Sequence, residues 1–219
     1  MTSLAAALDE VTLAQLLALG AATIHEAQGQ TGALRSAIKP LDPALRLAGS
    51  ALTVEARPGD NLVIHKAITL AKPGDVLVVD AKGFLECGPW GDILTLAAQC
   101  ARISGLVIDG AVRDSDAIIA LGFPVFSAGL CINAAQKTQG GAINTSIVCG
   151  GVRIDPGDLI VGDRDGVVRV PRERIFEVLR QAGLREDREA AIREGLRAGR
   201  STVELLGLAA SLERAGLAT

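Results

Sequence analysis

Three short apolar runs alternate with helix-like segments in the middle of the chain, and this alternation limits the possible folds most. The runs at 76–80, 105–108 and 125–126 have the length and composition of buried strands. The segments at 92–103 and 115–121 predict helices. Strands that alternate with helices form parallel sheets covered by helices, so the sequence predicts an α/β fold.

The flanking segments extend this pattern. Residues 143–170 are rich in strand-like sequence, whereas 172–199 is charged and predicts one long helix that starts after Pro171. A helix that is polar on most faces is either solvated or packs on a neighbouring subunit. Towards the start of the chain we expect helices at 11–19 (ending at Gly20), 23–27 and 61–71, and a strand at 46–56.

The composition excludes several classes of partner. Aromatic residues make up only 2% of the 219 residues, which argues against base stacking, and the net charge of −3 argues against phosphate-backbone binding. Charged residues or glycine interrupt every apolar stretch before the roughly 18 residues that a membrane span needs. The run at 4–19 contains Asp9 and Glu10 and no preceding positive region, so it is a poor signal peptide. We expect a cytoplasmic protein that binds neither nucleic acid nor membrane.

The cysteines and histidines do not form a zinc pattern. No two of the four cysteines are spaced as a CxxC motif, and only His25 and His65 could add nitrogen ligands. We therefore expect no structural zinc, and we expect small, buried, reduced cysteines at Cys87, Cys100, Cys131 and Cys149.

Arg113 and Asp114 lie shortly after the predicted strand at 105–108 and directly before a predicted helix. In open α/β sheets, ligands bind at this carboxyl edge. A carboxylate there can hold a hard divalent cation, and an arginine can bind a substrate carboxylate through two hydrogen bonds. In the alternative interpretation, Asp114 caps the following helix and Arg113 makes a surface ion pair.

The segment 88–94 predicts a loop that enters a helix. The first N–H groups of such a helix, here at Gly91, Asp92, Ile93 and Leu94, are unsatisfied and form an anion site, plausible for a carboxylate. Asp92 adds negative charge there, so it is either a helix cap or an acid/base group beside a cation. The sequence contains neither GxGxxG nor GxxxxGK[ST], which argues against a nucleotide.

These two segments together resemble a known enzyme family. Asp92, followed after twenty residues by Arg113 and Asp114, matches the D-x20-R-D signature of the 4-hydroxy-4-methyl-2-oxoglutarate/4-carboxy-4-hydroxy-2-oxoadipate aldolases. These enzymes belong to the superfamily of the RNase E activity regulator RraA. Further matches follow in order: HEAQG at 25–29 with TG at 31–32, PGDN at 58–61 with His65, PGDVLVV at 73–79, GFPVF at 122–126, and PGD at 156–158 through GD at 162–163 to DGVV at 165–168.

The resemblance implies a layered α-β-β-α sandwich of the RraA-like (swivelling β/β/α) type. The aldolase domain would span 1–171. A C-terminal helical arm at 172–219 would belong to the same domain or to an oligomer interface. On family grounds we expect a homotrimer or a homohexamer with active sites between subunits.

The resemblance also implies a class II pyruvate aldolase that uses Mg²⁺ or Mn²⁺. Asp114 would be the direct metal ligand, and Arg113 would bind the pyruvoyl carboxylate and stabilise the enolate oxygen. Asp92 would position a water for acid/base chemistry. The backbone amides from Gly91 through Asp92 and Ile93 to Leu94 would bind the substrate carboxylate.

A further residue would come from the C-terminal region of an adjacent subunit. The family places a glutamate there near the metal waters, and Glu189 or Glu186 could fill that place.

The implied reaction cleaves 4-hydroxy-4-methyl-2-oxoglutarate or 4-carboxy-4-hydroxy-2-oxoadipate to pyruvate plus pyruvate or oxaloacetate, in the degradation of aromatic compounds. Oxaloacetate decarboxylation is an expected side activity, because loss of CO₂ gives the same enolate. The alternatives are an enzyme for another 2-oxo acid, or a protein-binding inhibitor like the RNase E regulator. Asp92 favours an enzyme, because the regulator type carries glycine there and an acidic residue at the position of Ala117.

A class I aldolase would instead need a buried lysine with a lowered pKa. The lysines of this chain lie beside loops or on predicted helix faces, which disfavours a Schiff-base route. They are Lys39, Lys66, Lys72, Lys82 and Lys137.

Overall fold

The computed structural model describes residues 9–217. Its helices are α1 (Glu10–Ala27), α2 (Leu62–Ile68), α3 (Asp92–Cys100), α4 (Ser115–Ala120), α5 (Ile175–Arg197), α6 (Thr202–Leu205) and α7 (Ala209–Arg214). Its strands are β1 (Lys39–Pro40), β2 (Leu47–Glu55), β3 (Asp75–Phe84), β4 (Gly105–Val112), β5 (Val125–Leu130), β6 (Ala142–Ile143), β7 (Ile147–Cys149), β8 (Val152–Ile154), β9 (Leu159–Asp163) and β10 (Gly166–Val170).

One mixed sheet organises the molecule. Its strand order is β1-β5-β4-β3-β2-β9-β10, with β6 also paired to β2, and the four strands β2 to β5 run parallel. The two end strands of the sheet, β1 and β10, approach each other. Lys39 Nζ of β1 donates a hydrogen bond to the Asp165 carbonyl, next to β10, at 2.5 Å. The sheet is therefore nearly closed, and the predicted α/β class is confirmed.

Helices cover the sheet on two sides, and a third apolar cluster fills its inside. Helices α2, α3 and α4 pack on the parallel strands, whereas α1 and α5 pack on β9 and β10. Inside, Phe126 of β5 lies against Gly162 of β9, where an added Cβ would come within 2.9 Å of the Phe126 ring. The order of layers is helix, strand, strand, helix.

Helix α1 contains the break that the sequence predicts at Gly20. This residue has φ 78° and ψ 162°, a conformation that glycine adopts readily. The next N–H group, from Ala21, donates to the Asp163 carboxylate at 2.7 Å. The helices predicted at 11–19 and 23–27 therefore form one helix, α1, with a kink at Gly20.

Some boundaries differ from the predicted ones. Strand β3 runs on to Phe84 instead of ending at residue 80, through an irregularity in which Lys82 and Gly83 both have positive φ. The sequence around this glycine resembles a turn, which is why the extension is not predictable. The C-terminal helix begins after the 3₁₀ turn Arg172–Arg174, later than expected.

Helix α5 packs on α1 and buries Ile175, Val178 and Ala182. Helices α6 and α7 contain no buried residue. Parts of three predictions lie outside the described residues: the start of the apolar run at 4–19, the first residues of the domain at 1–171 and the end of the arm at 172–219. In the part of the chain that the structure describes, no helix has the length and apolar character needed to cross a membrane.

The inner cluster gives a test of the packing. Phe126 is fully buried, so Phe126→Ala leaves a cavity against Gly162 and should lower the free energy of unfolding by about 3–5 kcal/mol. The measurement is urea unfolding at one fixed protein concentration. The control is Phe176→Ala, because this side chain is 59% exposed and should change stability by less than about 0.5 kcal/mol. Equal losses in the two variants would contradict the described core.

Candidate functional site

Arg113 and Asp114 stand at the carboxyl end of β4, where the sequence analysis places a site. Asp114 occupies the position before α4 with φ 57° and ψ 37°, and its side chain makes no capping hydrogen bond. A left-handed conformation is costly for a residue other than glycine and is often found at functional sites. The carboxylate is 38% exposed and lies 3.3 Å from the Arg113 Nε. Asp114 therefore does not cap α4 through its side chain, whereas the surface ion pair of Arg113 is present, with Asp114 as its partner.

Gly91 brings the loop before α3 directly onto this pair. A Cβ added to Gly91 would lie 2.3 Å from Asp114 Oδ2 and 3.3 Å from Arg113 Nε. Real Cβ atoms do not approach so closely, so any side chain at position 91 would displace the Asp114 carboxylate. The structure thus brings the predicted site residue Gly91 onto the adjacent pair Arg113 and Asp114, which follows later in the sequence.

Hydrogen bonds fix each step of the 88–91 loop. The Arg113 N–H donates to the Trp90 carbonyl at 2.9 Å, and the buried Asn61 amide donates to the Pro89 carbonyl at 2.8 Å. The Thr95 hydroxyl donates to the Gly91 carbonyl at 2.9 Å. The loop is held from three directions, so its backbone has little freedom to move.

Trp90 is part of the core and does not line the site. It is 1% exposed, stacks on Phe123 with ring centroids 6.3 Å apart, and donates from Nε1 to Thr95 Oγ1 at 2.7 Å. A large buried ring with its N–H satisfied anchors the loop that contains it.

Asp92, Ile93 and Leu94 form the first turn of α3. The Asp92 carboxylate accepts the N–H of Ile93 at 2.7 Å, so it occupies one of the amides expected to bind a substrate carboxylate. Asp92 is half-buried, Ile93 is 70% exposed and Leu94 is buried. Asp92 therefore stays predicted as an acid/base residue, and a substrate carboxylate would compete with it for this N–H group.

The buried carboxylate of Asp60 holds two segments beside the site together, a role that its sequence pattern alone does not predict. It is 2% exposed and accepts hydrogen bonds from Leu62, Thr138 and Gln139. Burial alone would raise the pKa of Asp60, but these donors outweigh it and hold the pKa below the ordinary 3.8. This carboxylate fastens the segment after β5 to the start of α2. The turn sequence Pro-Gly-Asp-Asn at 58–61 was the available signal.

His65 and Cys87 are other titratable groups near this edge. Burial lowers the pKa of His65, and the charge of Lys137 lowers it further, so the ring is neutral at pH 7. Burial raises the pKa of the Cys87 thiol, with a smaller contribution from Cys131. Neither group has the activated form of a nucleophile.

The cysteines are free, and two of them, Cys87 and Cys149, are buried as expected. The expectation is wrong for Cys100, which is exposed at the end of α3, and for Cys131, which is only partly buried.

All five lysines are exposed in the described chain, so none is the buried amine that a Schiff base needs. Lys82 lies at 2.6 Å from Asp80 and 2.8 Å from Glu55. Hydrogen bonds to Asp80 and Glu55 raise the pKa of Lys82, which is opposite to the change that a nucleophilic amine needs.

Glu186 and Glu189 lie on α5 and form ion pairs with arginines of that helix. Within the described single chain, neither is in hydrogen-bond or ion-pair contact with Arg113 or Asp114. A role for either one at the site requires a second subunit.

A hard divalent cation fits the donors at this site. Asp114 offers carboxylate oxygens that no helix cap occupies. Among residues 9–217, no group of three or more His, Cys, Asp or Glu side chains is arranged to hold a metal. A single carboxylate with water in the other positions is the ligand set that suits Mg²⁺, and it would not suit structural zinc.

Comparisons with known proteins agree with this architecture. The family described as "RraA-like: Aldolase/RraA" matches residues 19–169. A Halalkalibacterium halodurans protein named "Putative 4-hydroxy-4-methyl-2-oxoglutarate aldolase" is 46% identical over 175 residues, which cover 78% of this chain and 83% of that protein.

Two solved structures are similar in fold. A Pseudomonas syringae pv. tomato protein of uncharacterized function is 32% identical with a TM-score of 0.82, over 90% of this chain and 93% of that one. Streptomyces coelicolor RraAS2, described as an unusual member of the RNase ES inhibitor RraA protein family, is 30% identical with a TM-score of 0.73, over 85% and 98%. These likenesses confirm the predicted layered fold.

The Asp60 contacts give a test by pH. Asp60→Asn replaces an acceptor with a donating amide and should lower the free energy of unfolding by about 1–3 kcal/mol at pH 7. Because the folded pKa lies below 3.8, the stabilisation is present above that value and is lost as the pH falls through the folded pKa. The gap between wild type and variant should therefore shrink below about pH 4.

The measurement is urea unfolding as a function of pH. Asp116→Asn is the matched control, because Asp116 is exposed and should show no such gap. A gap for Asp60→Asn that stays constant down to pH 2 would contradict the role of its charge.

Proposed function

Because the chain belongs to the RraA-like family, we propose that it is a class II pyruvate aldolase dependent on Mg²⁺ or Mn²⁺. Its substrates are 4-hydroxy-4-methyl-2-oxoglutarate or 4-carboxy-4-hydroxy-2-oxoadipate, with oxaloacetate decarboxylation as a side activity. The observation that carries the proposal is the contact of Gly91 with Arg113 and Asp114. The name of the 46% identical relative supports it.

The reaction breaks the bond between C3 and C4 of the substrate. The C4 hydroxyl loses its proton, C4 becomes a carbonyl, and the electron pair of the broken bond forms an enolate with its charge on the C2 oxygen. Protonation at C3 then gives pyruvate. The site must therefore bind a carboxylate and stabilise an oxyanion next to it.

Arg113 and the start of α3 meet both requirements in the proposed site. The Arg113 guanidinium is about two-fifths exposed and can donate to the pyruvoyl carboxylate and to the C2 oxygen. The N–H groups at the start of α3, directly after Gly91, would add the positive end of the helix dipole beside Arg113.

Asp114 would hold the cation, with water in the remaining positions. When bound, the cation stabilises negative charge as a fixed Lewis acid. The constrained backbone of Asp114 keeps its carboxylate beside Gly91 and Arg113, so metal and substrate would be held next to each other.

Asp92 would hold the water that moves the proton. It lies on the first turn of α3, one residue after Gly91, and is only partly buried. A carboxylate at that place can accept the proton of the C4 hydroxyl through the water and return a proton through the same water to C3.

The proposed assembly is a homotrimer or homohexamer in which Glu189 of an adjacent subunit completes the site. Exposed apolar side chains on the segments that flank the site support a subunit contact, because a neighbouring subunit would remove them from water. They are Leu85 (44% exposed), Ile93 (70%), Leu130 (60%) and Ile132 (92%).

A second candidate function is inhibition of an RNase E-type enzyme by binding. It is favoured by the likeness to the RNase ES inhibitor family and to a Thermus RNA-processing inhibitor at 25% identity and TM-score 0.64. Asp92 and Ala117 argue against it, because the regulator type differs at both positions. An aldolase or decarboxylase for another 2-oxo acid would use the same carboxylate and enolate site.

The aldolase proposal is tested with a coupled lactate dehydrogenase assay for pyruvate. We expect pyruvate from 4-hydroxy-4-methyl-2-oxoglutarate, loss of at least about 100-fold in rate with EDTA, and recovery with Mg²⁺ or Mn²⁺. The rate should depend on the metal because the enolate charge forms at the site of the cation.

Two further arms separate the alternatives. Oxaloacetate should release CO₂ with the same metal dependence. Pyruvate formation that EDTA leaves unchanged, or no turnover of any 4-hydroxy-2-oxo acid tested, would contradict the proposal. Inhibition of an RNase E-type enzyme without any aldolase activity would favour the binding function.

A further inference from the structure

A cavity of about 670 Å³ lies toward the edge of the sheet opposite to Arg113 and Asp114. Its lining includes the turn at 72–75, which leads into β3, whereas Arg113 and Asp114 follow β4, a strand parallel to β3. The turn at 156–157 and the start of α5 form another wall. The volume lies within the range of small-molecule pockets, so the cavity has room for a ligand of its own.

The lining of this cavity is apolar both where it is buried and where it is exposed. Ala51 and Leu52 of β2 and Ile175 of α5 are buried parts of the wall. Leu70 and Phe176 also line the cavity, and they are 51% and 59% exposed. An apolar ligand would cover these two side chains and remove their surface from water, which favours binding.

Two cations line the same cavity without a carboxylate partner. Lys72 and Arg172 are exposed, and among residues 9–217 neither forms an ion pair. Asp158 accepts the backbone N–H of Arg172, while its carboxylate pairs with Arg169 at 2.6 Å. The charges of Lys72 and Arg172 therefore remain free to bind an anion that enters the cavity.

The polar groups of the lining suit a carboxylate better than a cation. Among the described residues, Asp75 is the one acid in the lining, and its Oδ2 already accepts the N–H of Lys72 at 2.8 Å. Ser50 adds a half-buried hydroxyl that no described residue hydrogen-bonds. Two cations against one acid leave an excess of positive charge.

We propose that this cavity binds a monocarboxylate with an apolar chain, in which the carboxylate meets the charges of Lys72 and Arg172 and the chain packs on Leu70 and Phe176. A bare anion would leave the apolar lining in water, and an uncharged chain would leave both cations without a partner. The inference does not depend on the proposed aldolase reaction, because the cavity shares no residue with the site at Arg113.

The test is isothermal titration calorimetry of the full protein with straight-chain carboxylates, without metal and without a 2-oxo acid. From butanoate through hexanoate to octanoate, the affinity should rise about 3–4-fold for each CH₂ group that enters the apolar lining. Octylammonium should bind at least about 10-fold more weakly than octanoate, because it places a like charge beside the two cations. Inorganic phosphate should give no binding heat.

Variants of the lining give effects of opposite sign. Lys72→Gln and Arg172→Gln should each weaken octanoate binding about 10-fold, because each removes a charge-assisted hydrogen bond. Phe176→Ala should weaken it at least about 3-fold through lost apolar contact. Asp75→Asn should strengthen it, since the variant removes the one negative charge of the lining.

Two controls locate the binding. Arg197→Gln removes an exposed arginine at the far end of α5, outside the cavity, and should leave octanoate affinity unchanged. Arg113→Ala alters the other carboxylate site and should also leave it unchanged. Circular dichroism of each variant checks that the fold is intact.

Four results would overturn the inference: no binding of octanoate, an affinity independent of chain length, equal binding of octylammonium, or a loss in Arg113→Ala without one in Lys72→Gln and Arg172→Gln. Pyruvate formation is measured separately. Its absence would contradict the proposed function and leave the result at this cavity unaffected.

Discussion

The close approach of the Gly91 backbone to Arg113 and Asp114 is the constraint on which the rest of the site depends. An added Cβ would lie 2.3 Å from the Asp114 carboxylate, so no other residue fits without displacing it. The approach brings the start of α3 next to the Arg113 guanidinium and the Asp114 carboxylate. A small, highly charged 2-oxo acid needs such a combination more than it needs a large apolar pocket.

The fold delivers this contact through neighbouring parallel strands. β3 and β4 lie side by side, so the loop that leaves β3 and the residues that leave β4 emerge at the same edge of the sheet. Trp90 and Asn61 then fix the loop from the core side, while Asp60 fastens the segment after β5 beside it. A site held by such supports keeps its geometry when charge develops.

The sequence predicts the strands and helices of this molecule better than the long-range hydrogen bonds that hold the loops of the site. Apolar runs such as 76–80 are recognisable because strands buried on both faces need continuous apolar sequence. The break at Gly20 and the edge position of Arg113 and Asp114 follow from similar local rules. The Pro-Gly-Asp-Asn turn marks Asp60 in the sequence, but its hydrogen-bond donors Thr138 and Gln139 lie far along the chain, so its role is not predictable from the turn alone. The extension of β3 past Lys82 depends on pairing with β4, so it is not predictable from the local sequence either.

In the proposed site Asp114 binds the metal and Arg113 binds the substrate, and Mn²⁺ titration monitored by electron paramagnetic resonance tests this division of roles most directly. Wild type and Arg113→Ala should bind Mn²⁺ with similar affinity, whereas Asp114→Asn should lose at least about 10-fold in affinity. Arg113→Ala should form no pyruvate even when saturated with Mn²⁺. Unchanged Mn²⁺ affinity in Asp114→Asn would contradict the role of Asp114.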